Sequence, residues 1–363
     1  MFLKKSKRTY LVALLVIVVV IASVTGYALL GDSRMKLRVL CAGSLMVPFY
    51  EMEKEFEAQH PDVDVLIEGH GSIQVIRHVT ELYDEADVLV VADYSLIPMM
   101  MYGTKMPDTT ESYANWYVKF ATNTMGIAYT PQSRYADEID TENWYEILAR
   151  PDVKLGLSDA RLDSCGYRTL MVCQLASLYF NDETLFEGIT GGFSPPVTVS
   201  ENASEYVISV PEILKPVKAT LRGSSVILLA LFDSGYIDYA FMYRSVAEQY
   251  GLRFLDLPPE INLGSEDYSE LTEGLKVIVA FQRFASIQPE FDCQPILYGI
   301  TIPTNAPHLQ MAIEFTSYVI GPEGQRILYD NYQPSIVPAE TDNLDGLPDA
   351  LKPLAKREED LGN

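Results

Sequence analysis

Residues 39–49, Val-Leu-Cys-Ala-Gly-Ser-Leu-Met-Val-Pro-Phe, read as a buried strand that stops at a tight turn and runs straight into a helix. Gly43 gives the backbone room to turn, and Ser44 stands where a helix N-cap belongs. The unit then repeats. Residues 63–67 make a second strand, and Gly69-His70-Gly71-Ser72 leads into a helix carrying Ile73, Ile76, Val79 and Tyr83. Residues 87–91 follow as a nearly all-apolar strand, the pattern of a parallel strand covered on both faces. Two helix N-termini then lie at the carboxyl edge of one sheet, the edge where open α/β sheets bind ligands. Free N–H groups with the positive end of a helix dipole behind them suit an anion. Ordinary capped helices would satisfy the same pattern.

The charge balance narrows the choice of anion. With 27 Lys and Arg against 50 Asp and Glu, the chain carries −23 and would repel a nucleic-acid backbone. A small anion in a pocket is not excluded, because distant surface charge is screened over about 10 Å while donors act at contact. At 363 residues, 48% hydrophobic and 21% charged, the chain is globular and long enough for two domains. Lys4, Lys5, Lys7 and Arg8 precede an uncharged run over 10–30, which reads as a signal peptide or a membrane anchor that exports the body. Cys41, Cys165, Cys173 and Cys293 have no paired spacing, and His60, His70, His78 and His308 are equally scattered, so no metal cluster is expected.

Further along, residues 122–130 read as an extended crossing between domains. A short helix over 143–149, a strand over 154–158, a turn over 159–166 and a helix over 167–179 come next. Residues 181–211, with Gly191-Gly192 and Pro195-Pro196, read as a loop or insertion. Strands are expected over 217–221, 237–243, 277–281 and 299–302, with helices over 226–232, 245–250, 307–320 and 322–331. Residues 253–257 and Pro258-Pro259 suggest the second crossing, and the tail from Glu340 is polar. The run 94–117, rich in Tyr and Met, reads as core or lobe surface.

In this order the chain resembles the archaeal tungstate/molybdate-binding proteins that serve ABC importers, within the type II periplasmic solute-binding proteins. The resemblance is carried by Ala42-Gly43-Ser44-Leu45, Gly71-Ser72, Cys165-Gly166-Tyr167-Arg168, residues 228–231, Ser234-Gly235 and residues 237–245. Residues 258–264, 298–303 and 321–325 add to it. It implies an α/β fold of two lobes joined by a two-stranded hinge, with an oxyanion in the cleft. Residues 37–125 and 253–345 would form the first lobe, 126–252 the second, 1–36 the signal or anchor and 346–363 a polar tail. The oxyanion contacts it implies fall on Gly43, Ser44 and Ser72 in the first lobe, and on Asp163, Ser164, Cys165 and Tyr243 in the second. Ser225 stands where the family carries a glutamate that, with the aspartate, extends the metal's coordination towards six oxygens.

Each of these residues has a second reading. Ser72 alone could be an N-cap, Tyr243 a core ring, and Asp163 either a cap or a direct contact to the molybdenum or tungsten centre. Arg168 and Arg222 could offset charge in the cleft, although a salt bridge on a helix face is the commoner role. The resulting expectation is a monomeric, non-catalytic, extracytoplasmic protein with no cofactor. It would bind tungstate or molybdate between its lobes, hand it to a membrane permease with its ATPase, and bind no nucleic acid. The rivals are the same fold holding sulfate, phosphate or a small organic anion, an enzyme using Ser44 as nucleophile, and a membrane-tethered anion sensor. No G-x-S-x-G elbow supports the enzyme, and no output domain supports the sensor.

Overall fold

A computed structural model describes residues 34–202, 205–280 and 289–358. The repeated unit is realised, although its second helix stops short of Tyr83: β1 (Met35–Ala42), α1 (Met46–Gln59), β2 (Val63–His70), α2 (Ser72–Thr80) and β3 (Val88–Val91). β1 lies between β2 and β3 and is parallel to both, and all four residues of β3 are buried. On α1, Phe49, Met52 and Phe56 recur at helical spacing and are at most 1% exposed. Their face packs on α8 (Leu309–Ile320), where Phe315 meets Phe49 and Phe56 edge-on at 6.2 and 5.1 Å.

The chain leaves this sheet through β4 (Val118–Thr122), crosses at Asn123 and Thr124, and enters a second sheet at β5 (Met125–Tyr129). There follow in the second lobe α3 (Trp144–Ala149), β6 (Leu155–Ser158), α4 (Ser164–Tyr179) and α5 (Leu185–Thr190). After these come β7 (Thr198–Asn202), β8 (Glu205–Val210), β9 (Thr220–Arg222), a 3₁₀ turn Ser225–Leu228, α6 (Leu229–Asp233), β10 (Tyr239–Tyr243), α7 (Arg244–Gln249) and β11 (Arg253–Asp256). The chain ends through β12 (Leu275–Val279), β13 (Glu290–Asp292), β14 (Leu297–Thr301), α8, α9 (Pro322–Asp330), β15 (Ser335–Thr341) and β16 (Ala355–Arg357). The first lobe is built on the order β16-β15-β4-β14-β3-β1-β2, the second on β11-β5-β10-β6-β9.

Several expectations change. Residues 181–211 are not loop: they hold α5, β7 and β8, and β8 pairs in parallel with β12 from Leu275↔Tyr206 to Val279↔Val210. A four-stranded sheet β13-β12-β8-β7 results, so the segment between β11 and β14 is bound to an insertion of the second lobe. Local composition conceals this, because the partner of β8 lies some seventy residues away. Residues 253–256, assigned above to the first lobe, pair with β5 in the second, and the return crossing is at 257–264. The two crossings touch: Met125 N–H donates to Asn262 O at 2.8 Å. The polar tail is also structured, since β16 pairs with β15. The helix expected from Tyr167 starts at Ser164. The signal or anchor lies outside the described residues apart from its end, and Met35 and Lys36 belong to β1. Among the described residues no helix is long and apolar enough to cross a membrane.

Phe291 of β13 fastens the third sheet to the second lobe, its ring stacked on Tyr167 of α4 at 4.1 Å and 3°. It is 2% exposed. Phe291→Ala is expected to lower the unfolding free energy by about 3–5 kcal/mol, read from urea denaturation.

Candidate functional site

The carboxyl ends of β1 and β2 open into two helix starts. Gly43, Ser44 and Leu45 form one 3₁₀ turn that feeds α1, so Ser44 is not a cap; its Oγ bonds the Tyr298 hydroxyl at 2.9 Å. Gly71, not Ser72, caps α2, and its N–H donates to Gln74 Oε1 at 3.2 Å. Ser72 opens that helix, and its Oγ accepts the Ala92 N–H at 3.0 Å. The cap reading therefore fails for both serines, whose hydroxyls turn to side chains and strand ends instead.

The second lobe brings its own helix start against these. Ser164 Oγ lies 3.2 Å from Ser72 Oγ and 3.1 Å from Tyr243 Oη, giving a chain of hydroxyls from one lobe to the other. The lobes meet here closely enough that bulk is excluded. A Cβ on Gly71 would sit 2.4 Å from the Leu162 carbonyl oxygen, and one on Gly43 would sit 2.8 Å from Val226 Cγ2 and 3.1 Å from Ser224 Oγ. Ser44, Ser72, Ser164, Ser225 and Tyr243 are each at most 3% exposed.

Asp163 occupies the N-cap position of α4. Its Oδ2 accepts from Ser158 Oγ at 2.8 Å and from the Ser225 N–H at 3.0 Å. Burial pushes its pKa up, opposed by Ser158 and by the N–H groups of Ser225, Ser72 and Cys165. The Cys165 Sγ lies 3.7 Å from the Phe241 carbonyl of β10 and also meets Ser225, so its side chain borders the site. Burial raises its thiol, and Asp163 nearby raises it further. All four cysteines are free and buried. Tyr243 is likewise raised by burial and lowered by Arg168, while burial takes Tyr298 to about 12.

Four participants were not assigned from sequence. Asn123 at the first crossing donates through Nδ2 to Ser245 Oγ at 2.8 Å and to Tyr298 Oη at 3.1 Å. Tyr298 and Tyr167 lie in stretches that carry the resemblance, which is the available signal. Asp93 lay in none. Arg168, expected on a helix face, is 1% exposed, and its Nη1 donates to Tyr243 Oη at 2.9 Å. Arg222 only reaches its neighbour, the Leu221 carbonyl at 2.8 Å. Chemically, the assembly offers hydroxyl and N–H donors with one engaged carboxylate. Ser44 bonds a phenol that burial keeps protonated near neutral pH. Among the described residues no group of three or more His, Cys, Asp or Glu could hold a metal ion.

The profile of the bacterial extracellular solute-binding proteins matches residues 37–331. The chain belongs to that family. A solute-binding protein of Methanoculleus marisnigri is 42% identical over 332 residues, covering 88% of this chain and 87% of its own. The molybdate/tungstate-binding protein WtpA of Pyrococcus abyssi is 36% identical over 340 residues, covering 91% and 92%. Among solved structures, the periplasmic molybdate-binding protein of Azotobacter vinelandii aligns with a TM-score of 0.52 at 13% identity, over 82% of this chain and 98% of that one. The sulfate-binding protein SubI of Mycobacterium tuberculosis aligns at 0.53 and 12%, over 91% and 96%. At such identities the likeness establishes the periplasmic-binding-protein fold alone. Membership makes this an extracytoplasmic solute-binding protein.

Because burial raises the Asp163 pKa in the folded protein, the carboxyl contributes stability below its unfolded value of 3.8 and loses it as pH rises through the folded value. Asp163→Asn should therefore raise the ligand-free melting temperature near pH 7, the gain shrinking as pH falls towards 4. Melting scans across that range check it.

Proposed function

We propose that this chain captures molybdate or tungstate between its lobes and delivers the anion to an ABC permease and its ATPase. The observation that carries the reading is the buried run of hydroxyls Ser72, Ser164 and Tyr243, each within 3.2 Å of the next and drawn from both lobes. A tetrahedral dianion carries no proton near neutral pH, so its best host is built of donors. Charge-assisted hydrogen bonds contribute roughly 1.5–3 kcal/mol each, and a handful supports sub-micromolar binding after association costs. Gly43, Ser44 and the backbone of Ser164 and Cys165 complete the set, and Ser225 borders it. The 36%-identical relative with a molybdate/tungstate-binding name favours these anions over others of the fold. Contacts from both lobes would give the closed state the differential affinity that closure requires.

Two measurements test this. Tungstate and molybdate at micromolar concentration should raise the melting temperature by several degrees, while equal sulfate leaves it unchanged. Equal shifts from all three would overturn the selectivity. Coordination is the second. With Ser225 in place of a second carboxylate and Asp163 Oδ2 already held by Ser158 and Ser225, the bound metal keeps its four oxide oxygens. X-ray absorption of the complex should show four-coordinate metal, and a six-coordinate spectrum would reject this assignment.

A further inference from the structure

Behind the hydroxyl chain lies a buried cation that the donor count alone leaves without a task. Arg168 Nη1 donates to the Ala92 carbonyl at 2.6 Å as well as to Tyr243 Oη at 2.9 Å. Its Nη2 is 3.3 Å from Asp93 Oδ2, which also accepts the Tyr167 hydroxyl at 2.6 Å. Arg168, Tyr167 and Tyr243 belong to the second lobe, whereas Ala92 and Asp93 follow β3 in the first. Both charged partners are at most 2% exposed. The ion pair thus crosses the lobe junction beside the hydroxyls.

A guanidinium donates and never accepts, and it stays charged at any accessible pH. The Tyr243 oxygen must accept from it, which leaves the phenol's single proton for another acceptor, with Ser164 Oγ in reach at 3.1 Å. The same holds at the other end, where Ser72 Oγ accepts the Ala92 N–H and keeps its own proton free. From this polarity we propose that Arg168 is the positioning residue of the site: it acts through Tyr243 to keep the phenol's proton turned away from the guanidinium and available to the hydroxyl chain and its anion, with Asp93 of the opposite lobe as its counter-charge. A neutral amide at 168 could accept from Tyr243 and pull the proton back. The inference rests on the oxyanion-capture reading and assigns it a residue that touches no anion.

The test is a double-mutant cycle. Molybdate and tungstate are titrated calorimetrically into the wild type, Arg168→Gln, Tyr243→Phe and the double variant, with Arg168→Lys as the conservative control. Arg168→Gln is expected to weaken binding by about tenfold or more, and by less than about twofold once Tyr243 is already phenylalanine. Arg168→Lys, still donor-only, should recover most of the affinity. Because Arg168→Gln leaves Asp93 unpaired, the cycle is repeated in the Asp93→Asn background, where no lone buried charge remains. Ligand-free melting of the three charge variants supplies a readout without anion: Asp93→Asn with Arg168→Gln should cost less than the two single changes together. Equal losses from Arg168→Gln with and without the Tyr243 hydroxyl, or additive melting costs, would overturn the proposal alone. A wild type that binds neither oxyanion would overturn the capture reading and, with it, the role assigned to Arg168.

Discussion

Everything at the junction depends on how one amide is held. Asn123 sits where the chain first leaves the seven-stranded sheet, and its side chain reaches both lobes. Nδ2 donates to Ser245 Oγ and Tyr298 Oη, while Oδ1 accepts the N–H groups of Thr124 at 3.0 Å and Ser245 at 3.4 Å. A buried amide with donor and acceptor both engaged cannot shift without exposing an unpaired group, at a cost of about 1–3 kcal/mol. Tyr298 carries that constraint on to Ser44, and Ser245 carries it to the end of β10, where Tyr243 stands. The crossing at Asn123 and Ser44 are therefore parts of one polar network, joined by two hydrogen bonds through Tyr298.

The alternation of strand and helix was legible because it depends on local period. β1, α1, β2, α2 and β3 fall where apolar spacing puts them, and so do Ser44 and Ser72 at the two helix starts. What sequence could not supply were partners distant along the chain. The pairing of β8 with β12 is invisible in a segment whose composition says loop, and the strand β16 hides in a polar tail. The start of α4 was placed three residues late because Gly166 was read as a turn residue. In the structure a Cβ there would meet Ala160 N at 2.5 Å, so close packing, not a turn, explains the glycine. Arg168 does form an ion pair, the commoner role for an arginine on a helix, but a buried one. An arginine on a helix is usually solvated, and only the tertiary approach of Asp93, seventy-five residues earlier, makes burial tolerable.

The electrostatics of the junction also account for a protein at −23 that is read as an anion host. Arg168 and Asp93 cancel each other, leaving little net charge from that pair to attract a ligand. Attraction would come from oriented dipoles: three hydroxyls, and the first-turn N–H groups of α2 and α4. Dipoles fixed by buried partners cost little reorganisation when an anion arrives, and water screens them poorly once the lobes close. Long-range repulsion by the acidic surface would slow encounter without weakening contact inside the cleft.

Ser225 is where these considerations converge. Its backbone N–H holds Asp163 Oδ2, so any side chain at this position starts one bond away from the nitrogen that orients the carboxylate. A glutamate here would set two acidic groups side by side in a buried space, where like charges raise each other's pKa unless a cationic centre lies between them. Such a pair is stable in its charged form only when it ligates the metal. With serine, the single carboxylate is instead satisfied by Ser158 and by backbone donors, without calling on a metal at all. The same fold can thus run in two electrostatic regimes, one completed by bonds to the metal and one complete before the anion arrives. If this chain captures the anion as proposed, the hydrogen bonds around Asp163 favour the second.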